Sequence, residues 1–204
     1  MTPQLPSALR ASPANASALL TLEQFCTYDD GTDTHYELEN GILVTMPPES
    51  PENDDIARGL LFTLANYVPL ALLSTKTEVE VTGRRASCRL PDLLVHTEDS
   101  KAALKGSVRA TLTREMPPPA LVVEIVSPGA ANRKRDYRYK RTEYAAREIL
   151  EYWIIDPEEQ RITVCRWLDG QYEDTCLQGS DRLVSDVIPE FSLTVAEIFA
   201  LGKP

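Results

Sequence analysis

A chain of 204 residues, 43% hydrophobic and 25% charged, has the composition of an ordinary globular protein and a length that favours one domain. Its formal net charge of −10 argues against a general affinity for polyanions. No run approaches the roughly eighteen consecutive apolar residues of a membrane span, so no membrane partner is expected.

Residues 1–18 are rich in Ala, Ser and Pro, with one Arg and no long apolar stretch. That is a poor secretory signal, and a flexible N-terminal tail is expected there, followed by a single domain over 19–204. Cys26, Cys88, Cys165 and Cys176 show no CxxC spacing and read as free thiols of a reducing, cytoplasmic environment. Zinc is disfavoured by the same spacing, with only His35 and His96 available.

Thr21-Leu22-Glu23-Gln24 has the form of a capping box opening a short helix. Residues 36–39 and 42–44 flank Asn40-Gly41, a strong signal for a hairpin with a two-residue turn. That turn pairs Glu39 with Ile42, Leu38 with Leu43 and Glu37 with Val44. Glu37 then sits among aliphatic neighbours and needs a partner. A long amphipathic helix is expected from about residue 53 to about 73, with Ile56, Leu60, Leu64 and Tyr67 at helical spacing. Strands follow at 76–82 and at 90–97, the second carrying Asp92 just after Pro91. Residues 98–118 are polar and Pro-rich and read as a loop. A strand at 121–126, a helix from 135 to about 147 and a strand at 149–156 come next. A second hairpin turns at Asp169-Gly170, and Thr194-Val195-Ala196-Glu197 caps a closing helix. The order is an α/β pattern with a mixed sheet.

Two of these apolar strands each hold a lone carboxylate, Asp92 and Glu124. An ionised Glu buried on both faces costs several kcal/mol unless a cation or hydrogen-bond donors compensate it. Two such acids can meet on neighbouring strands and hold a hard divalent metal. The helix that follows is basic, with Arg133, Lys134, Arg135, Arg138, Lys140, Arg141 and Arg147 against Asp136 and Glu143. It is either a solvated face or a phosphate-attracting one, and its position after the Glu124 strand favours the second. Asp136, Lys140, Tyr144 and Arg147 fall on one side of it. Lys140 is either half of a surface pair with Asp136 or points back toward Glu124 and Asp92. Tyr152-Trp153 reads as core, and His96 as incidental.

The runs Tyr36-Glu37-Leu38-Glu39-Asn40-Gly41, Pro91-Asp92, Val122-Val123-Glu124-Ile125-Val126-Ser127-Pro128, Asp136-x-x-x-Lys140-x-x-x-Tyr144 and Glu151-Tyr152-Trp153-Ile154-Ile155-Asp156-Pro157 occur in that order. Together they resemble the Uma-type restriction endonuclease family of the PD-(D/E)XK nuclease superfamily, over roughly residues 20–200. The resemblance implies a restriction-endonuclease-like αβββαβ core with a mixed central sheet, to which N-terminal and C-terminal β-hairpins are added. It also implies a catalytic set of Glu37, Asp92, Glu124 and Lys140. The metal, Mg²⁺ or Mn²⁺, would be held by Asp92, Glu124 and the Ile125 carbonyl. In the superfamily's basic pattern a Lys stands two residues after the Glu; here that position is Val126, and Lys140 matches a Lys supplied from the helix instead. Arg133, Lys134, Arg135, Arg138 and Arg141 would contact the phosphates of DNA. Cutting both strands of a duplex needs two sites, which is compatible with a homodimer. The alternatives are a nuclease-fold module that binds or assembles without cutting, and a hydrolase of smaller phosphodiesters.

Overall fold

The computed structural model describes residues 19–46 and 48–201; the expected N-terminal tail lies outside them. Helix α1 (Leu22–Cys26) opens on the Thr21 capping box, with Thr21 and Gln24 bonded reciprocally. Strands β1 (Tyr36–Glu39) and β2 (Ile42–Thr45) pair in the expected register, Glu37 opposite Val44. Asn40 and Gly41 both take positive φ, 51° and 85°, as the two-residue turn requires.

Helix α2 runs Pro51–Leu64 behind an Ser50 N-cap. It ends well before residue 73. The Asn66 side-chain amide donates to the Phe62 and Thr63 carbonyls and closes the helix, and Pro69 disfavours helical geometry just before itself. Tyr67 and Val68 still pack inward, so the apolar spacing outlasts the helix. Strands β3 (Leu73–Ser74), β4 (Glu78–Val81), β5 (Ser87–Arg89) and β6 (Leu93–Val95) follow. Residues 98–118, read as loop, contain helix α3 (Glu98–Ala103), N-capped by Thr97, and strand β7 (Thr111–Leu112) parallel to β4.

Strand β8 (Leu121–Ile125) is buried along its whole length. After it come α4 (Ala130–Lys134), a π-helical turn over Arg135–Lys140, and α5 (Arg141–Ala146). Strands β9 (Glu151–Asp156), β10 (Arg161–Leu168) and β11 (Gln171–Gln178) complete the main sheet, the last two joined at Asp169-Gly170. A small pair, β12 (Arg182–Val184) and β13 (Ser192–Thr194), leads into α6 (Val195–Ala200).

The central sheet has the order β11-β10-β9-β8-β6-β3 and is mixed, with β8 parallel to β9 and antiparallel to β6. A second sheet, β2-β1-β5-β4-β7, stands beside it. Because side chains alternate along a strand, Leu121, Val123 and Ile125 join the core beneath α2 and α6. Val122 and Val126 face the other way, into the core that holds Tyr144 and Tyr152. Glu124 lies on that second side, under α5. Tyr152 and Trp153 are fully buried, and His96 is a core residue bonded to Thr77 and Ser100. Its ring is held low, at about 4, mainly by burial, which keeps it neutral at physiological pH.

Candidate active site

Glu124 is 3% exposed, and both its oxygens are engaged. The Tyr144 hydroxyl donates to Oε1 at 2.7 Å, and the Lys140 ammonium lies 2.8 Å from Oε2. Lys140 is itself 0% exposed and stands 3.2 Å from Glu37 Oε1 and 3.8 Å from Asp136 Oδ1. Burial disfavours its charge, but Glu124, Glu37 and Asp136 outweigh that and raise it, so the amine stays protonated. Lys140 therefore points into the molecule rather than forming a surface pair with Asp136.

Glu37 finds the partners its burial demands. Its Oε1 accepts the Leu90 N–H at 3.1 Å, and its Oε2 accepts from Arg89 at 3.0 Å. Burial pushes the Glu37 carboxyl up, but Lys140 and Arg89 together bring it below the usual carboxylate range. Arg89 is wholly buried and grips Glu143 of α5 with two further bonds, Nε to Oε2 at 2.8 Å and an Nη to Oε1 at 2.9 Å. It locks β1, β5 and the Lys140-bearing helix together. Sequence reading passed over Arg89 because Ser87-Cys88-Arg89 carries no apolar alternation. The one available signal was the unpartnered Glu37.

Asp92 lies just outside the strand expected to carry it, in a bend before β6. Pro91 has no N–H for the ladder, and the Asp92 side chain continues the pairing instead. Its Oδ2 accepts the Ile125 N–H at 2.6 Å, the one hydrogen bond to this carboxylate among the described residues. Burial and the Glu124 charge hold Asp92 well above its usual range, opposed by the Ile125 N–H and Lys140. Burial likewise raises Glu124, against Lys140. Asp92 also lines a cleft of about 720 Å³, bounded by the α2 residues Asn53, Ala57 and Leu61 on one side and by His35 and Met46 on the other. Glu49, held by the Asn53 amide at 3.3 Å, stands in the same cleft. Neither Glu49 nor Asn53 was singled out from the sequence.

The profile of the family Uma2, described as "Putative restriction endonuclease", matches residues 22–196. The chain belongs to the Uma2 family. It is also similar in structure to a putative nuclease of the DUF820 group from Anabaena variabilis. The TM-score is 0.66 at 18% identity, over 90% of this chain and 99% of the other, a likeness of fold. No curated protein matches the chain. The αβββαβ core expected from the Uma-type motifs is thus the observed architecture.

Within this Uma2 fold the four expected catalytic residues converge, though unequally. Lys140 bridges Glu37 and Glu124 directly, while Asp92 reaches them through the Ile125 backbone. The donors fit a hard divalent ion. Asp92 and Glu124 offer carboxylate oxygens, and together they carry more negative charge than Lys140 offsets. Among the described residues no three His, Cys, Asp or Glu side chains gather into a ready cage. Two carboxylates completed by water is nevertheless the usual manner of Mg²⁺.

The basic helix is mostly occupied with its own chain. Arg133 is bonded to buried Asp156 and to Glu158, Arg135 to Asp136, and Arg141 to Asp174. Arg147 donates to the backbone carbonyls of Glu80, Thr113 and Met116, fastening the 98–118 excursion to β4. Of the five residues expected to contact phosphate, Lys134 and Arg138 are the ones left exposed and without an ion pair among the described residues.

Proposed function

We propose that this chain is a divalent-metal-dependent phosphodiester hydrolase that cuts DNA. The observation that carries the reading is the buried Lys140 ammonium, held between Glu124 and Glu37 one strand away from Asp92, at the edge of an open cleft. An ion pair so deeply desolvated is a poor stabilising device, and its position beside a second uncompensated acid gives it a chemical use.

Asp92 and Glu124, with the Ile125 carbonyl, would hold Mg²⁺ or Mn²⁺. Such an ion polarises a phosphoryl oxygen and brings bound water toward a usable nucleophile. Lys140 stays protonated, so it acts as a fixed positive charge rather than a base. It would offset the charge that builds on the phosphoryl oxygens as water adds. Glu37 keeps that charge in place, and Arg89 keeps Glu37 in place. Tyr144 orients Glu124 by donating to the oxygen Lys140 leaves free. Lys134 and Arg138 would contact phosphates further along the strand without reading sequence.

The test is incubation of purified protein with supercoiled plasmid and Mn²⁺, beside Asp92→Ala, Glu124→Ala and Lys140→Met, with Mn²⁺ binding followed by calorimetry. Wild type should nick or linearise the plasmid and the variants should fall by at least about a hundredfold. Equal inertness of wild type and Asp92→Ala, with metal still bound, would favour a module that binds without cutting.

A further inference from the structure

The cleft beside Asp92 does not end blindly. It shares Thr34, His35, Lys76 and Leu90 with a second hollow of about 280 Å³. Aromatic rings wall that hollow: Tyr28 and Tyr36 stand edge to face at 5.6 Å, and Phe25 lies beneath the Arg109 guanidinium at 4.6 Å. The walls are fixed in advance. Arg109 is gripped by Glu78 through two bonds of 2.7 and 2.6 Å and donates to the Phe25 and Cys26 carbonyls, while the Tyr36 hydroxyl donates to Asp30 at 2.6 Å.

Lys76 stands at the junction of the two hollows, in the bend between β3 and β4. It is exposed, and its ammonium forms no ion pair among the described residues. The neighbouring cleft is otherwise acidic, with Asp33, Glu49 and Asp54, and Arg58 there is paired to Asp54 and Asp55. A phosphate entering from this side has Lys76 as its one unengaged lysine. An aromatic hollow, a free cation and a metal-suited acid pair in succession match the alternation of base and phosphate along a single strand. Aromatic faces take any base by stacking. Bases in a duplex are stacked on one another, so only an unpaired or extruded base could enter.

We propose that the hollow walled by Phe25, Tyr28 and Tyr36 receives one unstacked nucleobase of a nucleic-acid strand, with Lys76 on the phosphate leading from it into the Asp92 cleft. This assignment of substrate class rests on the nuclease reading above. It makes single-stranded, frayed or gapped DNA the preferred ligand.

The test is fluorescence anisotropy with a labelled single-stranded oligonucleotide and the duplex of the same sequence, in Ca²⁺, over a range of salt. The single strand should bind at least about tenfold more tightly. Tyr28→Leu, which keeps apolar bulk and loses the π-face, should weaken it about tenfold, while Tyr28→Phe should not. Lys76→Ala should lower the slope of log affinity against log salt by about 0.7, the share of one phosphate on a single strand. Equal affinity for the duplex, or Tyr28→Leu binding as wild type with an unchanged melting temperature, overturns the proposal. Plasmid and single-strand cleavage in Mn²⁺, run in parallel, separates the two readings. Tyr28-dependent binding by a wild type that never cuts leaves the base hollow standing and removes the nuclease. Asp92-dependent cutting with binding indifferent to Tyr28 does the reverse.

Discussion

Replacing Asp92 by Asn should stabilise the metal-free protein while removing its response to metal. An Asn oxygen can still accept the Ile125 N–H that Asp92 Oδ2 accepts at 2.6 Å, so the continuation of the β6–β8 pairing survives. What disappears is a carboxylate held well above its usual range by burial and by the charge of Glu124. Relieving a site of that kind commonly yields about 0.5–2 kcal/mol. For a domain of this size each kcal/mol raises the melting temperature by roughly 2–4 °C. Thermal unfolding in EDTA should therefore show the variant melting a few degrees above wild type. Adding Mn²⁺ reverses the order, since a ligand at one hundred times its dissociation constant stabilises the folded state by about 2.7 kcal/mol. pH supplies a second check of sign. Asp92 and Glu124 are raised in the folded protein, so the folded state binds more protons than the unfolded one, and metal-free stability grows as pH falls from neutral through their folded-state range. Glu37 is lowered, so its contribution is lost only at lower pH, below the usual carboxylate range. The gain on mild acidification should shrink in Asp92→Asn. An EDTA melting point below that of wild type would refute the reasoning, because it would mean that the Asp92 charge is already compensated without metal.

Arg89→Leu strands Glu37 and Glu143 without their shared cation and should cost about 3–5 kcal/mol in urea unfolding; Arg89→Lys should recover little, since one ammonium cannot reproduce the fork that grips Glu143 and Glu37 together. Lys140→Met should abolish cleavage and leave Glu37 held by Arg89 and the Leu90 N–H, so it should destabilise less than Arg89→Leu in the same assay. Arg133→Ala leaves Asp156 buried with only the Glu159 N–H to answer it, and should cost about 1–3 kcal/mol while DNA affinity changes little. Arg138→Ala should do the opposite, weakening binding in low salt with the melting temperature unmoved.

Much of this architecture is written in local chemistry. Asn40-Gly41 sets its own hairpin register, the Thr21 and Thr194 capping boxes start their helices, and the unbroken apolar run around Glu124 declares a strand buried on both faces. Each signal acts within a few residues, so it survives any tertiary context. Elements made by pairing at a distance were less legible. Strand β5 is polar in sequence and owes its existence to β1 and β4 on either side. Strand β7 is a two-residue segment aligned only by β4. Helix α3 had a readable start in Thr97-Glu98-Asp99, overshadowed by the prolines that follow. At the site, the acids could be found because an ionised carboxylate in an apolar strand needs explaining. Arg89 could not be found in the same way, since arginine in a polar run reads as surface. The basic helix misled in the complementary direction: charge density in a sequence does not reveal how many of those charges are already answered by Asp156, Asp136 and Asp174.

The π-helical turn over Arg135–Lys140 gives the chemistry an unusual dependence on residue count. Its wide turn is braced by the Tyr152 hydroxyl, which donates to the Asp136 carbonyl at 3.1 Å. Excising one residue between 135 and 139 would let the segment rewind into ordinary helix and swing everything beyond it by about 100°. Either the amine of Lys140 or the α5 contacts of Tyr144 and Glu143 would then lose alignment, with no side chain of the site altered. A gene encoding this fold is thus more vulnerable there to a three-base deletion than to most substitutions on the helix's outer face.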